Sequence, residues 1–287
     1  MVQPLRWRLR DRVLTLGQRP LVMGIVNVTP DSFSDGGRYF ETSAAIEHGL
    51  RLAAEGADIL DIGGESTRPG ATPVPAEEEL RRVLPVVTTL ARQVSIPLSI
   101  DTMKAVVAQH CLDAGAAIIN DVSGLRDPDL VAVAVRYHPG VIVMHMQGTP
   151  QTMHLNPHYT DVVQEVRDYL HQRLHTLTAA GIDPETLAFD PGIGFGKTLE
   201  HNLQLLAHLE QVMPAGRPVV LGVSRKGFLG QITGRPRTER LAASLAVACI
   251  TVARGQVHIL RVHDVAATRD AALLLEAIDR YRCGPNA

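Results

Sequence analysis

Cysteine is scarce. Cys111, Cys249 and Cys283 are the only three in 287 residues, far apart and without metal-ligand spacing. That pattern excludes a disulfide scaffold and fits a reducing cytosol, so a cytoplasmic protein is expected. No run of 18 apolar residues occurs, so no membrane span is expected. The opening MVQPLRWRLR is positively charged but has no apolar segment behind it, which argues against a signal peptide. Neither sign of charge is in excess, with 28 basic against 30 acidic residues and a net charge of −2. Bulk electrostatics therefore gives no support to nucleic-acid binding. Linker-like tracts, composition breaks and short repeats are also missing, so one domain over 1–287 is expected.

What the chain does have is apolar residues, at 45%, enough for a sizeable core. Apolar β-rich runs predict strands near 21–27, 58–63, 97–101, 117–122, 140–146, 187–191, 218–224 and 258–263. Helical patterns fall between and after them, at 43–56, 76–92, 104–114, 129–137, 160–180, 199–210, 239–254 and 265–281. Runs such as ILDIG, AAIIN and GVIVMHM do not alternate, as expected of parallel strands covered on both faces. Eight strands and eight helices in roughly 250 residues predict an α/β fold, a single (β/α)8 TIM barrel. Each strand ends at or near a polar group: Asn27, Asp61, Asp101, Asn120, His145, Asp190, Ser224 with Lys226, and Arg261 with His263. A doubly wound sheet would gather such groups at one crevice, whereas eight converging ends suit a closed barrel.

The most informative stretch is MGIVNVTPDSFSDGG at 23–37, an apolar strand that ends in Asn27 and opens into a polar loop. It resembles the first signature of dihydropteroate synthases, the folate enzymes inhibited by sulfonamides. Further segments carry the resemblance to about Arg280: IDT at 100–102, NDVSG at 120–124, MHMQGTP at 144–150, FDPGIGFGK at 189–197, SRK at 224–226 and RVHDV at 261–265. The resemblance implies condensation of (7,8-dihydropterin-6-yl)methyl diphosphate with 4-aminobenzoate. It implies a pterin site of Asp101, Asn120, Met144, Asp190, Phe195 and Lys226, and catalytic roles for Asp31, Asp35, Asp101 and Lys226. The chemistry is consistent, because a carboxylate accepts a parallel pair of bonds from the pterin amino and ring N–H groups, and a lysine donates to the carbonyl. Asn27, Thr67, Arg68, Arg261 and His263 would receive the diphosphate, with Mg2+ held through Asn27. Phe33, Pro69, Lys226 and Gly227 would meet 4-aminobenzoate. Many family members carry a Ser or another side chain where this chain has Gly227, so here the backbone N–H is left for the carboxylate. A homodimer through helix 239–254 is expected, because that helix is apolar on most faces.

Other readings of single motifs are weaker. GIGFGKT at 192–198 fails the phosphate-loop spacing by one residue and reads as a tight glycine turn entering a helix. His171 and His175 are four apart on an outer helix without an HExxH motif, and His154 and His158 lie in a Pro-containing stretch. None of the four is expected to bind metal. The loops 29–40 and 64–75 are long enough to serve as lids over the site. Two rival functions stand beside the main one: a pterin-dependent methyltransferase and a non-catalytic pterin-binding paralogue.

Overall fold

The apolar runs close into a barrel, and the computed structural model describes its residues 5–17, 19–28 and 38–282. Asp31, Phe33 and Asp35 lie outside the described residues, with most of the loop after the first barrel strand. The chain opens with an antiparallel hairpin, β1 (Leu5–Arg8) and β2 (Val13–Leu16). The barrel then alternates β3 (Leu21–Asn27), α1 (Arg38–Ala54), β4 (Ile59–Gly63), α2 (Ala76–Gln93), β5 (Leu98–Asp101) and α3 (Ala105–Asp113). It continues through β6 (Ile118–Asp121), α4 (Pro128–Tyr137), β7 (Gly140–Met144), α5 (Val162–Ala179) and β8 (Leu187–Asp190). Two helices follow, α6 (Leu199–Ala207) and α7 (Leu209–Val212), before the short β9 (Val220–Leu221). The last elements are α8 (Gly227–Thr233), α9 (Leu241–Ala253), β10 (Ile259–Val262) and α10 (Val265–Arg282).

The eight barrel strands are all parallel, in the order β8-β7-β6-β5-β4-β3-β10-β9. The ends meet, because Phe189 bridges Val219 and the Phe189 amide donates to Pro218 O at 2.9 Å. The ring is therefore closed, which is the TIM-barrel arrangement expected from the strand pattern.

Burial explains why the strands read as unbroken apolar runs. Val22, Val26, Leu60, Ile62, Ile100 and Val143 point outward and pack with the helices in one cluster. Inward residues form a second cluster that includes Met23, Ile59, Ile118, Ile142, Val220 and Ile259. The hairpin closes this inner cluster: Trp7, Leu9 and Leu16 are buried against it, and Trp7 Nε1 donates to Thr186 O at 2.7 Å. The lower end of the barrel is thus plugged with hydrocarbon. Several inward residues one step higher are polar, among them Asp61, Asp101, Asn120, Asp190 and Arg261, and they form the floor of a site at the C-terminal ends of the strands.

Candidate active site

The strand register brings the polar step together. Ile25 pairs with Asp61, Asp61 with Ser99, Asp101 with Asn120, and Met144 with Asp190. Arg261 on β10 reaches across this ring. Its Nε donates to Asp61 Oδ2 and its Nη2 to Asp101 Oδ2, each at 2.6 Å. Asn120 Nδ2 donates to the same Asp61 oxygen at 3.0 Å. Asp61 is fully buried, and its Oδ1 has no hydrogen-bond partner among the described residues. Two carboxylates share one guanidinium here. Burial, with Asp61 close by, pushes Asp101 up to about 7 despite the opposing pull of Arg261. Arg261 itself is held charged by Asp61 and Asp101 against the cost of burial.

Beside this ring stands a second pair. Asp190 ends β8, is buried, and accepts from Gly192 N at 2.7 Å. Burial raises its pKa, and Lys226 opposes that rise. Lys226 caps α8, donates through Nζ to Ile193 O, and lies over the Phe195 ring at 4.6 Å from the centroid. Burial depresses its ammonium to about 8, with Asp190 opposing the shift and Arg261 assisting it. Gly222 faces the same space without a side chain: a Cβ there would stand 3.8 Å from Asp190 Oδ2 and 3.9 Å from Arg261 Cβ. Met144, Val122, Met146 and Met153 form an apolar shelf on which Phe195 and Met103 rest. A flat polar ring would find carboxylates and an ammonium at its edge and sulfur and aromatic surface at its face.

GIGFGKT forms the tight turn that its glycines predict, and Thr198 caps α6. At Gly192, φ is +68° and a Cβ would fall 1.8 Å from His145 O, so no other residue fits. Lys197 turns inward beneath the turn. Its Nζ bonds His145 Nδ1 at 2.9 Å and the carbonyls of Gly192 and Phe195 at 3.0 Å each.

Above the floor lies a cationic rim. Arg68 and Pro69 are exposed on the loop after β4, and Thr67 is half-buried. His263 donates through its backbone N to Ser224 Oγ at 3.1 Å, and its Nδ1 is 3.0 Å from that oxygen. Burial and Arg261 lower its pKa to about 3, so the ring is neutral. The three cations grouped from the sequence therefore differ in state. Arg261 is already compensated by carboxylates, His263 is uncharged, and Arg68 is a solvent-facing cation. Arg237 joins the rim, with its Nη2 3.5 Å from His263 Nε2. Asn27 ends β3 half-buried, and Gly227 is exposed at the start of α8. His154, His158, His171 and His175 are exposed.

A model of the family described as pterin binding enzyme matches residues 23–263. The dihydropteroate synthase of Neisseria meningitidis serogroup B is 49% identical over 267 residues, covering 91% of this chain and 93% of that one. The structure of the Xanthomonas albilineans dihydropteroate synthase with 4-aminobenzoic acid superposes with a TM-score of 0.90 at 50% identity, covering 96% of this chain and 99% of that one. A Burkholderia cenocepacia dihydropteroate synthase complexed with 7,8-dihydropteroate gives 0.88 at 45% identity, covering 98% of each. The chain belongs to the dihydropteroate synthase family.

Within this barrel, Asp101, Asn120, Met144, Asp190, Phe195 and Lys226 lie at one end. The structure adds residues that were given no role. Asp61 is visible in the sequence as a charge inside an apolar strand, ILDIG, but its partner Arg261 lies 200 residues away. Arg225 has φ of +57°, a left-handed conformation that is unusual for a side-chain-bearing residue. It is held there by an ion pair with Asp264 and by donation of its backbone N to Ser244 Oγ at 2.9 Å. SRK and RVHD thus interlock, and the strained backbone sets the direction in which Lys226 leaves the chain.

Proposed function

We propose that this chain condenses (7,8-dihydropterin-6-yl)methyl diphosphate with 4-aminobenzoate, giving 7,8-dihydropteroate and pyrophosphate. The observation that carries the reading is the charged ring of Asp61, Asp101, Asn120, Asp190, Lys226 and Arg261 at the mouth of a closed barrel of this family. Lys226 donates to the pterin carbonyl and Asp190 accepts from the amino and ring N–H pair. Asp101 and Asn120 complete the edge, with Met144 and Phe195 against the faces. The bond between the pterin methylene carbon and the diphosphate oxygen breaks first, and its electron pair leaves with pyrophosphate. Positive charge spreads into the pterin, where Asp101 and Asp190, held partly back from ionisation by burial, can offset it. The arylamine nitrogen then forms the C–N bond and gives up its proton to an oxygen of the departing pyrophosphate.

Arg68, exposed and close to the rim, meets the departing anion, with Thr67 and His263 beside it. Asp31, Phe33 and Asp35, which lie outside the described residues, are assigned by the family resemblance to the loop that would exclude water from this step. Pro69, Lys226 and Gly227 border the space for 4-aminobenzoate, whose carboxylate faces the first turn of α8. Asn27 offers one neutral amide oxygen at the rim. Magnesium keeps several waters and takes few protein ligands, so that donor plus phosphate oxygens suits it. When bound, the ion supplies further neutralisation of the diphosphate. A methyl carrier would have no use for the Arg68 loop, which places methyl transfer second. Chromatographic appearance of dihydropteroate from the two substrates tests the assignment, and its absence with folded protein rejects it.

Pterin affinity is expected to fall as pH rises through about 8, where Lys226 loses its proton. The charged form is the strong donor, so the loss lies on the alkaline side. Calorimetry at neutral and alkaline pH checks this, with Lys226→Met as the control that lacks this limb. A wild-type profile that matches the Lys226→Met profile counts against the assignment.

A two-fold homodimer through α9 belongs to the same reading. The face of α9 toward the barrel is Ser244, Ala248 and Thr251, whereas Leu241 and Ile250 are exposed. On neighbouring α10, Leu273, Leu274 and Ile278 are exposed as well. Several large apolar side chains exposed on two neighbouring helices favour an interface there. Light scattering at micromolar concentration is expected to give twice the chain mass, and a monomer mass would contradict it. Among the described residues no helix is long and apolar enough to cross a membrane. The free thiols of Cys111 and Cys249 support a cytoplasmic placement.

A further inference from the structure

The loop 64–75 carries Arg68 into solvent, but its neck is tied. Glu65 stands at its start, Val74 near its end, and Glu79 in the first turns of α2. Lys104, just before α3, donates through Nζ to Oε2 of both Glu65 and Glu79. The other oxygen of Glu65 accepts from Val74 N at 3.1 Å. One carboxylate thus joins the two strands of the neck, and one ammonium joins the neck to α2 and α3. Arg82 adds a donation to Gly64 O at 3.0 Å. Gly64 itself is pressed on α2, since a Cβ there would meet Val83 Cγ1 at 2.7 Å. By contrast, the tip is held by Gly70 N donating to Pro150 O at 3.0 Å and by one longer contact from Gln151.

We infer that Lys104 is a positioning residue: by clamping the neck of loop 64–75 onto α2 and α3, it places Arg68 for the diphosphate of the substrate. This rests on the condensation reading above. Packing between α2 and α3 does not need the clamp, because Val83, Val86, Val87, Val107 and Cys111 already join them in the main core. The ions sit above that core, where apolar contact gives way to the loop. Glu79 is fully buried, its Oε1 has no partner among the described residues, and Lys104 supplies its counter-charge. Lys104 also stands three residues after Asp101, and Glu79 is among the carboxylates that raise Asp101.

Glu65→Gln is the first test, because it breaks the loop side of the clamp and leaves the Lys104–Glu79 pair intact. Amide exchange over 66–74 should quicken by about tenfold as the neck opens more often. The KM for the pterin diphosphate should rise about tenfold, a loss of ground-state and transition-state anion binding alike. Affinity for the same pterin without its diphosphate should stay within about twofold, since the floor is untouched. Lys104→Arg should preserve all three readouts, and Lys104→Met, if its melting transition shows it folded, should quicken exchange and raise KM as Glu65→Gln does. Unchanged exchange and KM in folded Glu65→Gln would overturn the inference. So would an equal loss of affinity for both pterins, which would mean a general structural role. The exchange arm needs no turnover, so it separates failure of the clamp from failure of the condensation reading.

Discussion

Replacing Lys226 with methionine is expected to weaken pterin binding by roughly 10- to 150-fold, the worth of a lost charged hydrogen bond of about 1.5–3 kcal/mol. The stem of Lys226 lies along the glycine turn, with Gly194 close enough that a Cβ there would stand 3.2 Å from Lys226 Cδ. Methionine keeps much of that stem and its contact with Phe195, so the fold should survive. What disappears is the ammonium that faces Asp190 and the pterin carbonyl. Asp190 loses the cation that opposes the rise that burial imposes on its carboxyl. Both donor and acceptor of the pterin edge therefore suffer. Calorimetric titration with a pterin measures the effect, and an unchanged affinity would remove Lys226 from the site.

The second large effect is on the order of binding. Titration of 4-aminobenzoate should show poor binding to the free protein and binding tighter by about 1–3 kcal/mol once pterin, pyrophosphate and magnesium are present. Arg68 and Pro69 are exposed, and Gly227 offers only backbone to the arylamine carboxylate. An anion at the rim would draw the Arg68 tip inward about its clamped neck. Pro69 would then border the arylamine pocket. The structure refines the picture of two free lids taken from the sequence, because loop 64–75 is anchored at its base and unburied at its tip. Equal affinity with and without the other ligands would reject ordered assembly.

Much of this was legible in the sequence because a parallel barrel writes itself as apolar runs. ILDIG, AAIIN and GVIVM are buried on both sides, so they do not alternate. The polar residue at each strand end marked the site for the same reason. The hairpin at 5–16 was not read, since LRWR alternates like a half-exposed strand and stands outside the β/α repeat. Its role depends on Trp7 reaching Thr186, a contact that no local pattern announces. Helix α8 was missed because GFLGQIT contains two glycines, which disfavour helix. It forms because Phe228 and Leu229 are buried and Gly234 ends it in the left-handed region. Charge states were the least legible feature. Nothing local in RVHDV shows that Arg261 is shared by Asp61 and Asp101, or that burial keeps His263 neutral.

The most direct test of the central claim is pyrophosphate release from (7,8-dihydropterin-6-yl)methyl diphosphate, followed with and without 4-aminobenzoate. The charged floor and cationic rim predict rapid release that depends on the arylamine and matches dihydropteroate formed, one for one. No release in either condition, from folded protein supplied with magnesium, would contradict the account.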